Sequence, residues 1–225
     1  MRQLAARQPS AILFGAQLAA ILVYPFVQDS DTGQAIFSAL GIAILGLVLL
    51  AVRGSPAWTW IGLVLAAPAT ALLLIQAITG DDALLPYSSA LEAVLYFYAA
   101  GALITYMLGD HEITRDEIWA IGATFTLLAW AFAYAYTVCQ AIEPDSFTAA
   151  VDAQDPRSWI ELLFLSFTTL TSTGLSDIIP VKPFARSLVM VEQCLGLAYI
   201  AMLVARVIGL LVIAARGTFP RRNPS

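Results

Sequence analysis

Residues 158–177 read SWIELLFLSFTTLTSTGLSD, a short apolar run followed by a hydroxyl-rich tail. The apolar run has about 13 residues, whereas a helix needs about 20 to cross a bilayer. Pro156 and Ser158 favour a helix start, and Glu161 suits the positive N-terminal end of the helix dipole. The β-branched threonines of the tail disfavour a helix interior. This stretch therefore predicts a re-entrant half-helix over Ser158–Leu170 and an extended segment after it.

The rest of the chain is unusually apolar. It has 225 residues, of which 60% are hydrophobic and 12% charged, and its mean hydropathy is +0.80. A typical soluble domain is about 45–50% apolar and about 25% charged. The chain has too few charged residues to cover the surface of a soluble domain, and its high content of apolar residues excludes a disordered protein. The sequence predicts an integral membrane protein in a lipid bilayer, and the net charge of −5 argues against a nucleic-acid partner.

Six apolar runs have the length of membrane-spanning helices. Polar breaks between the first five are short, so neighbouring helices must run antiparallel. We therefore predict an all-α integral membrane protein with six transmembrane helices and one re-entrant pore helix per subunit. The six runs are Ala11–Val27, Ala35–Val52, Ala57–Thr79, Leu85–Leu108, Ile118–Ala141 and Phe184–Ala215.

Among the four short breaks and the two ends of the chain, arginines appear in alternate loops. They are Arg2, Arg7, Arg53, Arg115, Arg216, Arg221 and Arg222, whereas the first and third breaks carry only acids. Positive charge marks the cytoplasmic side. We therefore predict a multi-pass protein of a bacterial-type plasma membrane, with both termini in the cytoplasm and the first apolar run retained as a helix.

Cysteine and histidine are too scarce for a metal or catalytic site. Cys139 and Cys194 lie in apolar runs, and the single histidine, His111, lies in a polar loop. A zinc site needs several such ligands, and a serine nucleophile needs a base within reach. We predict that the protein is not an enzyme and needs no cofactor apart from permeant monovalent cations.

A half-helix followed by an extended Thr/Ser/Gly segment has a physical use. Non-helical backbone at membrane depth is tolerated only where protein buries it or where it lines a water-filled cavity. Backbone carbonyls and hydroxyls can replace the hydration shell of a cation, and the C-terminal end of a helix carries partial negative charge. One chain offers one such loop, and four chains around an axis would offer a ring of oxygens.

With the helices on either side, residues 117–215 resemble the pore domain of the tetrameric potassium channels, most closely the small prokaryotic branch. Family members typically read T-x-T-T-V-G-Y-G-D at the selectivity filter. This chain keeps Thr169, Thr171, Gly174 and Asp177 of that motif. The resemblance implies a homotetramer with a selectivity filter formed by Thr171, Ser172, Thr173, Gly174, Leu175, Ser176 and Asp177.

The filter departs from the family pattern in its outer half. Ser172 keeps the hydroxyl of the innermost threonine, but Thr173 replaces valine, Leu175 replaces tyrosine and Ser176 replaces the second glycine. In the family, alternate filter residues have left-handed backbone, which costs a serine at 176 about 1 kcal/mol. We expect K⁺ or another monovalent cation to bind at Ser172, Thr173 and Gly174, and the outer sites to widen. The run S-T-G-L-S also resembles the one-glycine filter loops of Trk-type potassium transporters.

Residues around the filter take roles from the same resemblance. Thr168 and Thr169 would support the filter from the pore helix, and Gly196 falls where the family's inner helix has its gating-hinge glycine. Glu192, one turn earlier, would brace the filter by bonding to a pore-helix hydroxyl such as that of Thr168, or else would act as a cavity charge that attracts cations.

The stripe that continues from Gly196 has two interpretations. Tyr199, Leu203 and Val207 follow it at spacings of three and four residues. They would line the inner pore and form its constriction, or they would pack the helix against a neighbour. Arg206, near the inner end of the helix, would snorkel to the cytosol.

The first four helices have the position of a voltage sensor but not its charges. Residues 1–116 are predicted to form this four-helix bundle and residues 117–225 the pore domain. The fourth helix contains Glu92 and no Lys or Arg, so voltage dependence should be weak or absent. Glu92 is either an interfacial residue or a group that responds to protons or cations.

The predicted function is passive conduction of cations, chiefly of potassium with reduced or altered selectivity. Asp177, with Asp145, Asp152 and Asp155, would raise the cation concentration at the outer mouth. A non-selective or sodium-permeable channel is one alternative. A secondary transporter is another, although it would usually show paired broken helices, and the sequence has one break.

Overall fold

The computed structural model describes residues 8–27, 31–53, 59–79, 82–109 and 115–217. Within them the chain forms seven α-helices, a 3-10 turn at Asp82–Leu84 and two short strands. The helices are Pro9–Val27 (α1), Asp31–Arg53 (α2), Thr59–Thr79 (α3), Leu85–Leu108 (α4), Arg115–Ile142 (α5), Trp159–Leu170 (α6) and Pro183–Gly217 (α7). The strands are Phe147–Thr148 (β1) and Ile179–Pro180 (β2).

The helices follow the predicted apolar runs closely. The fourth has the predicted bounds, and the half-helix begins one residue later than predicted because Ser158 caps it. The third begins at Thr59; Ala57 and Trp58, where the predicted run starts, lie outside the described residues.

Four helices are long and apolar enough to cross a membrane. They are α1, α4, α5 and α7, with candidate spans Pro9–Phe26, Leu85–Leu108, Asp116–Ile142 and Pro183–Gly209. Shorter apolar stretches, Leu40–Ala51 and Trp60–Gln76, lie in α2 and α3. The protein is therefore an all-α membrane protein with four candidate spans, and the crossing of the membrane by α2 and α3 stays a prediction.

The orientation of the chain also stays a prediction. It depends on the loop arginines, and Arg2, Arg7, Arg221 and Arg222 lie outside the described residues. His111, predicted to lie in a solvent-facing linker, lies outside them too.

Helix α5 is the centre of the fold. It packs against α1, α4, α6 and α7, and 67% of its span is buried inside the chain, against 22% for α7. Large side chains such as Trp130 and Tyr136 are fully buried along it. Because α7 is covered mainly on the side of α5 and α6, most of its apolar surface remains open.

At one end of the helices, α5 is joined to both α1 and α7. The Asp116 carboxylate accepts bonds from the Ser10 backbone N–H (3.2 Å) and hydroxyl (3.0 Å). The next residue, Glu117, forms a buried ion pair with Arg206 at 3.3 Å. Arg206 thus pairs with a carboxylate of the same chain. The prediction that its side chain extends to the cytosol did not include such a partner. The predicted boundary between domains falls between these two acids, and the division itself stays a prediction.

The opposite end, called here the filter end, carries residues 143–182. Strands β1 and β2 pair there antiparallel, with Phe147 opposite Pro180 and Thr148 opposite Ile179. A buried cluster holds this pair against α5, α6 and α7. Its members are Phe132, Tyr136, Cys139, Phe147, Ala149, Leu162, Leu165, Ile178, Ala185 and Val189. The loop before α6 and the segment after the filter are therefore one packed unit.

Two ion pairs, one from the first turn of α5 and one from the residue just after its end, give a matched test of burial. Replacing Glu117 by alanine leaves the guanidinium of Arg206 without its carboxylate at a nearly buried site, which should cost about 3 kcal/mol. Replacing Glu143 by alanine breaks a 3.7 Å pair with Lys182 whose side chains are 35% and 40% exposed, and this should cost less than about 1 kcal/mol. Thermal unfolding in detergent measures both. Equal losses would contradict the assignment of the Glu117 pair as a buried tie.

Candidate functional site

The half-helix α6 begins at a capping box. The Ser158 hydroxyl accepts the Glu161 backbone N–H, and the Glu161 carboxylate accepts the Ser158 backbone N–H at 2.7 Å. These contacts satisfy donors that a helix N-terminus leaves open. The helix has 12 residues, about 18 Å of length, so it cannot cross a bilayer. The spacing S-x-x-E is a sequence signal of this cap. The prediction from the sequence rested only on the charge of Glu161.

Arg157 organises the loop before the half-helix. Its side chain is almost fully buried and pairs with Glu161 at 3.2 Å. The guanidinium also donates to the backbone carbonyls of Val151, Asp152 and Asp155. The side-chain amide of Gln140 bonds both the N–H and the carbonyl of Arg157, at 2.8 and 3.0 Å. The start of α6 is thereby fixed to α5, by contacts that sequence reasoning did not identify.

The first part of the filter segment folds back on the end of α6. The Thr168 carbonyl accepts the backbone N–H groups of Thr173 (3.0 Å) and Gly174 (3.2 Å). Ser172 and Gly174 have left-handed backbone, with φ of 56° and 65°. Alternate residues thus adopt this conformation, as expected. Ser176 does not adopt it, so the predicted strain at Ser176 is absent.

The filter segment lies on the surface of the single chain. Thr171, Ser172, Thr173, Gly174, Leu175 and Asp177 are exposed, and Ser176 is half-buried. The hydroxyls of Thr171 and Thr173 lie 3.1 Å apart on this surface. Beside the segment is an open cavity of about 570 Å³, lined by parts of α6, the filter and α7. Oxygen atoms of one chain can therefore contact an ion from one side only.

The outer half of the segment forms a turn of its own. The Ser176 backbone N–H donates to the Gly174 carbonyl at 3.1 Å, and the Ser176 hydroxyl accepts the Ile178 N–H at 3.0 Å. Ile178 is buried in the filter-end cluster. The carbonyl of Gly174 thus already accepts a hydrogen bond from the same chain. In this respect the outer half of the segment differs from the inner residues Ser172 and Thr173.

Glu192 joins three helices behind the filter. It is fully buried, and its carboxylate accepts hydrogen bonds from Tyr136 of α5 and Ser166 of α6. The pore-helix partner is therefore Ser166. The Thr168 hydroxyl donates instead to the Leu165 carbonyl of its own helix, at 2.8 Å. A carboxylate enclosed in this way does not line a cavity, although its role in supporting the filter stays a prediction.

Gly196 marks the closest approach of α7 to α6. A Cβ atom at this position would lie 2.4 Å from the Leu170 carbonyl oxygen and 2.8 Å from the Leu170 Cα. These are backbone atoms at the last residue of α6, so any side chain at 196 would push the two helices apart. The structure gives Gly196 a packing requirement, and its role as a gating hinge stays a prediction.

The stripe after Gly196 begins at a residue that faces the same chain and ends at Val207, which is exposed. Tyr199 is buried, and its hydroxyl donates to the Ile121 carbonyl of α5 at 2.8 Å. Leu203 and Val207 line a small cavity together with Glu117 and Arg206. This placement agrees with the interpretation of a packing stripe. It does not agree with a pore-lining position for Tyr199.

Comparison with known proteins agrees with this arrangement. Residues 123–212, from α5 through α6 and the filter into α7, match the family model described as Ion channel. No curated protein and no solved structure matches the chain.

The packing of Gly196 can be tested against a second glycine of the same helix. Gly196→Ala should lower the stability by about 2 kcal/mol, because the added methyl overpacks a backbone contact. At Gly209 an added Cβ meets nothing within 4 Å, so Gly209→Ala should be neutral or stabilise by up to about 1 kcal/mol through helix propensity. Thermal unfolding of both variants provides the comparison, and similar melting temperatures would contradict the close contact.

The junction at Glu192 makes a prediction about coupling. Ser166→Ala and Tyr136→Phe each remove one donor to the carboxylate, and each should cost about 1–3 kcal/mol. The double variant should not show the sum of the two losses, since both donors bond one group. Thr168→Val should cost less than either, because its hydroxyl bonds only within α6. Additive losses, or a larger loss at Thr168, would contradict this junction.

Proposed function

We propose that this chain, whose residues 123–212 match the family model described as Ion channel, is one subunit of a passive channel that conducts monovalent cations, potassium among them. A match of this kind favours a channel over an enzyme. Four copies around an axis would place four filter segments face to face, with α7 as the inner helix. The pore would then need no cofactor other than the ions that pass through it.

One observation carries the proposal, namely the exposed polar backbone of residues 171–175 at the end of a helix too short to span the membrane. In lipid such a segment would leave carbonyls and hydroxyls without partners, at several kcal/mol per group. Around an axis filled by water and ions, the same groups replace hydration. The negative end of the α6 dipole points toward this segment and adds to the attraction of cations.

The open surface of α7 supports assembly from several copies. Its exposed large apolar side chains are Phe184, Met190, Val191, Leu195, Leu197, Ile200, Val204, Val207 and Ile208. They surround much of the helix, so neighbouring subunits and lipid can share the coverage. The cavity beside the filter, which includes Gln193 and Cys194, also needs a protein neighbour at that depth.

Selectivity and voltage dependence are proposed to be weak. The Gly174 carbonyl is already bonded by Ser176, which leaves fewer oxygens for dehydrated ions and favours a non-selective or sodium-permeable filter as the second candidate. Helix α4 contains no Lys or Arg, so it has no gating charges to move in the membrane field. We place the channel in a bacterial plasma membrane, with six spans and both termini in the cytoplasm.

Reversal potentials in reconstituted bilayers test this function. Opposed potassium and sodium gradients should give a current whose reversal potential lies near zero or modestly toward the potassium value, with little change in conductance with voltage. Ser172→Ala should shift that potential because it removes a filter hydroxyl. Ser187→Ala, which removes an α7 hydroxyl bonded to the Pro183 carbonyl, should not.

The same preparation should contain particles of four chains. A monomeric particle, or the absence of any current under all gradients, would contradict the channel proposal. A current that requires stoichiometric coupling of two solutes would favour the secondary transporter.

A further inference from the structure

Helix α4 carries a buried polar stripe on the face that packs against α5. Ser89, Glu92 and Tyr96 are 1%, 2% and 0% exposed, and their spacing places them on one face of the helix. The carboxylate of Glu92 lies close enough to the Tyr134 hydroxyl of α5 to interact with it. The Ser89 and Tyr96 hydroxyls have no hydrogen-bond partner among the described residues. The channel function proposed above makes no use of this cluster.

Basic residues are scarce in the described helices around Glu92. Helices α1, α3 and α4 have no Lys or Arg, and α2 and α5 each carry one at an end of the helix, Arg53 and Arg115. The titratable groups nearby are Tyr96 on the same helix, Tyr134 from α5 and Tyr24 of α1 on the far side of Tyr134. A negative charge without a counter-ion is costly at this depth. Uptake of one proton by the carboxylate removes that charge without requiring space for an ion.

The cluster is connected by aromatic contacts to the first residue of the half-helix. The Tyr134 ring stacks on Tyr96 with centroids 5.6 Å apart and lies 5.7 Å from the Trp159 ring. The Trp130 ring meets the Trp159 ring edge-on with centroids 5.1 Å apart, and the centroid of the Tyr24 ring lies 5.8 Å from that of Trp159. A change in the packing of Tyr134 would therefore alter the ring contacts of Trp159 at the N-terminus of α6.

A cavity lies at the filter end of α4 and α5, and its lining does not include the cluster residues themselves. It has a volume of about 350 Å³ and lies between the start of α4 and the end of α5, with Asp145 and Asp155 in its lining. Its lining includes Pro86 and Thr137, and Thr137 is one turn from Tyr134. Glu92 lies roughly 10 Å further along α4. Two acids at the entrance raise the local concentration of cations, protons included.

We propose that Glu92 is a proton-uptake site that is reached from the filter end through this cavity, and that its protonation state controls conduction through Tyr134, Trp159 and α6. The proton comes from water and binds a carboxylate oxygen of Glu92, and no other bond is made or broken apart from hydrogen bonds. The effect on conduction rests on the proposed channel function, whereas proton uptake itself does not.

Infrared difference spectra of the purified chain test proton uptake directly. Lowering the pH from about 9 to about 5 should produce a protonated-carboxyl component in the wild type that Glu92→Gln lacks, since that variant has an amide there; any band of the buried Glu192 should be common to both chains. Glu143→Gln, which removes a carboxyl outside the cluster, should keep the band. A wild-type spectrum that differs from that of Glu92→Gln by no such band would overturn the proposal, whatever the current measurements show.

Ion flux into proteoliposomes tests the control of conduction. Changing the pH on the filter side should change wild-type flux by about fivefold or more, the size of a typical allosteric coupling. Glu92→Gln should hold the flux at the wild-type value for low pH at every pH, because an amide imitates the neutral carboxyl. Glu143→Gln should respond like the wild type. Flux in the wild type that is independent of pH would overturn the proposed control and leave the channel function intact.

Two further variants keep the test decisive if Glu92→Gln does not fold. Glu92→Asp retains the carboxyl but shortens the side chain, and should move the midpoint of the pH response. Trp159→Phe should reduce the size of the response without removing the infrared band, since it alters the connection to α6 and not the site. An unchanged response in both variants would contradict the route through Glu92 and Trp159.

Discussion

The close contact between α7 and the end of α6 determines where the filter segment lies. Gly196 allows the two backbones to approach, and one turn earlier Glu192 binds Ser166 of α6 and Tyr136 of α5. The first contact requires a residue without a side chain, and the second requires two buried hydroxyl donors. A shift of the half-helix would break both contacts. The filter begins directly after Leu170, the residue that Gly196 touches, and its position follows from this contact.

The same contacts show how the rest of the chain is organised around α5. That helix is hydrogen-bonded to Ser10 of α1, forms an ion pair with Arg206 of α7, and is hydrogen-bonded through Gln140 to the loop before α6. It also packs along α4, the helix that bears Glu92. Helix α4 thereby packs directly on the helix that also contacts α6. A structural change in α4 can thus reach α6 through α5.

Much of the fold could be predicted because membrane helices are coded locally. Apolar runs, polar breaks and the length of the half-helix predicted the described helices to within about four residues at each end, and the filter motif indicated the position of the candidate site. Contacts between distant residues were not predictable in this way. The pairing of Glu117 with Arg206, the choice of Ser166 by Glu192 and the strand pair at Phe147 depend on how helices rotate against each other. Similarly, the buried position of Tyr199 could not be told from a pore-lining one, because both have the same spacing.

The strand pair β1–β2 has a consequence for the local dynamics of the chain. It joins Phe147, before the half-helix, to Pro180, after the filter, and thereby closes residues 147–180 into a loop with fixed ends. Within that loop Arg157, the cap at Ser158 and the turn at Ser176 each bond only to near neighbours in the sequence or to α5. Hydrogen exchange should therefore detect the half-helix and the filter as one cooperative unit, together with the end of α5 to which Gln140 joins them.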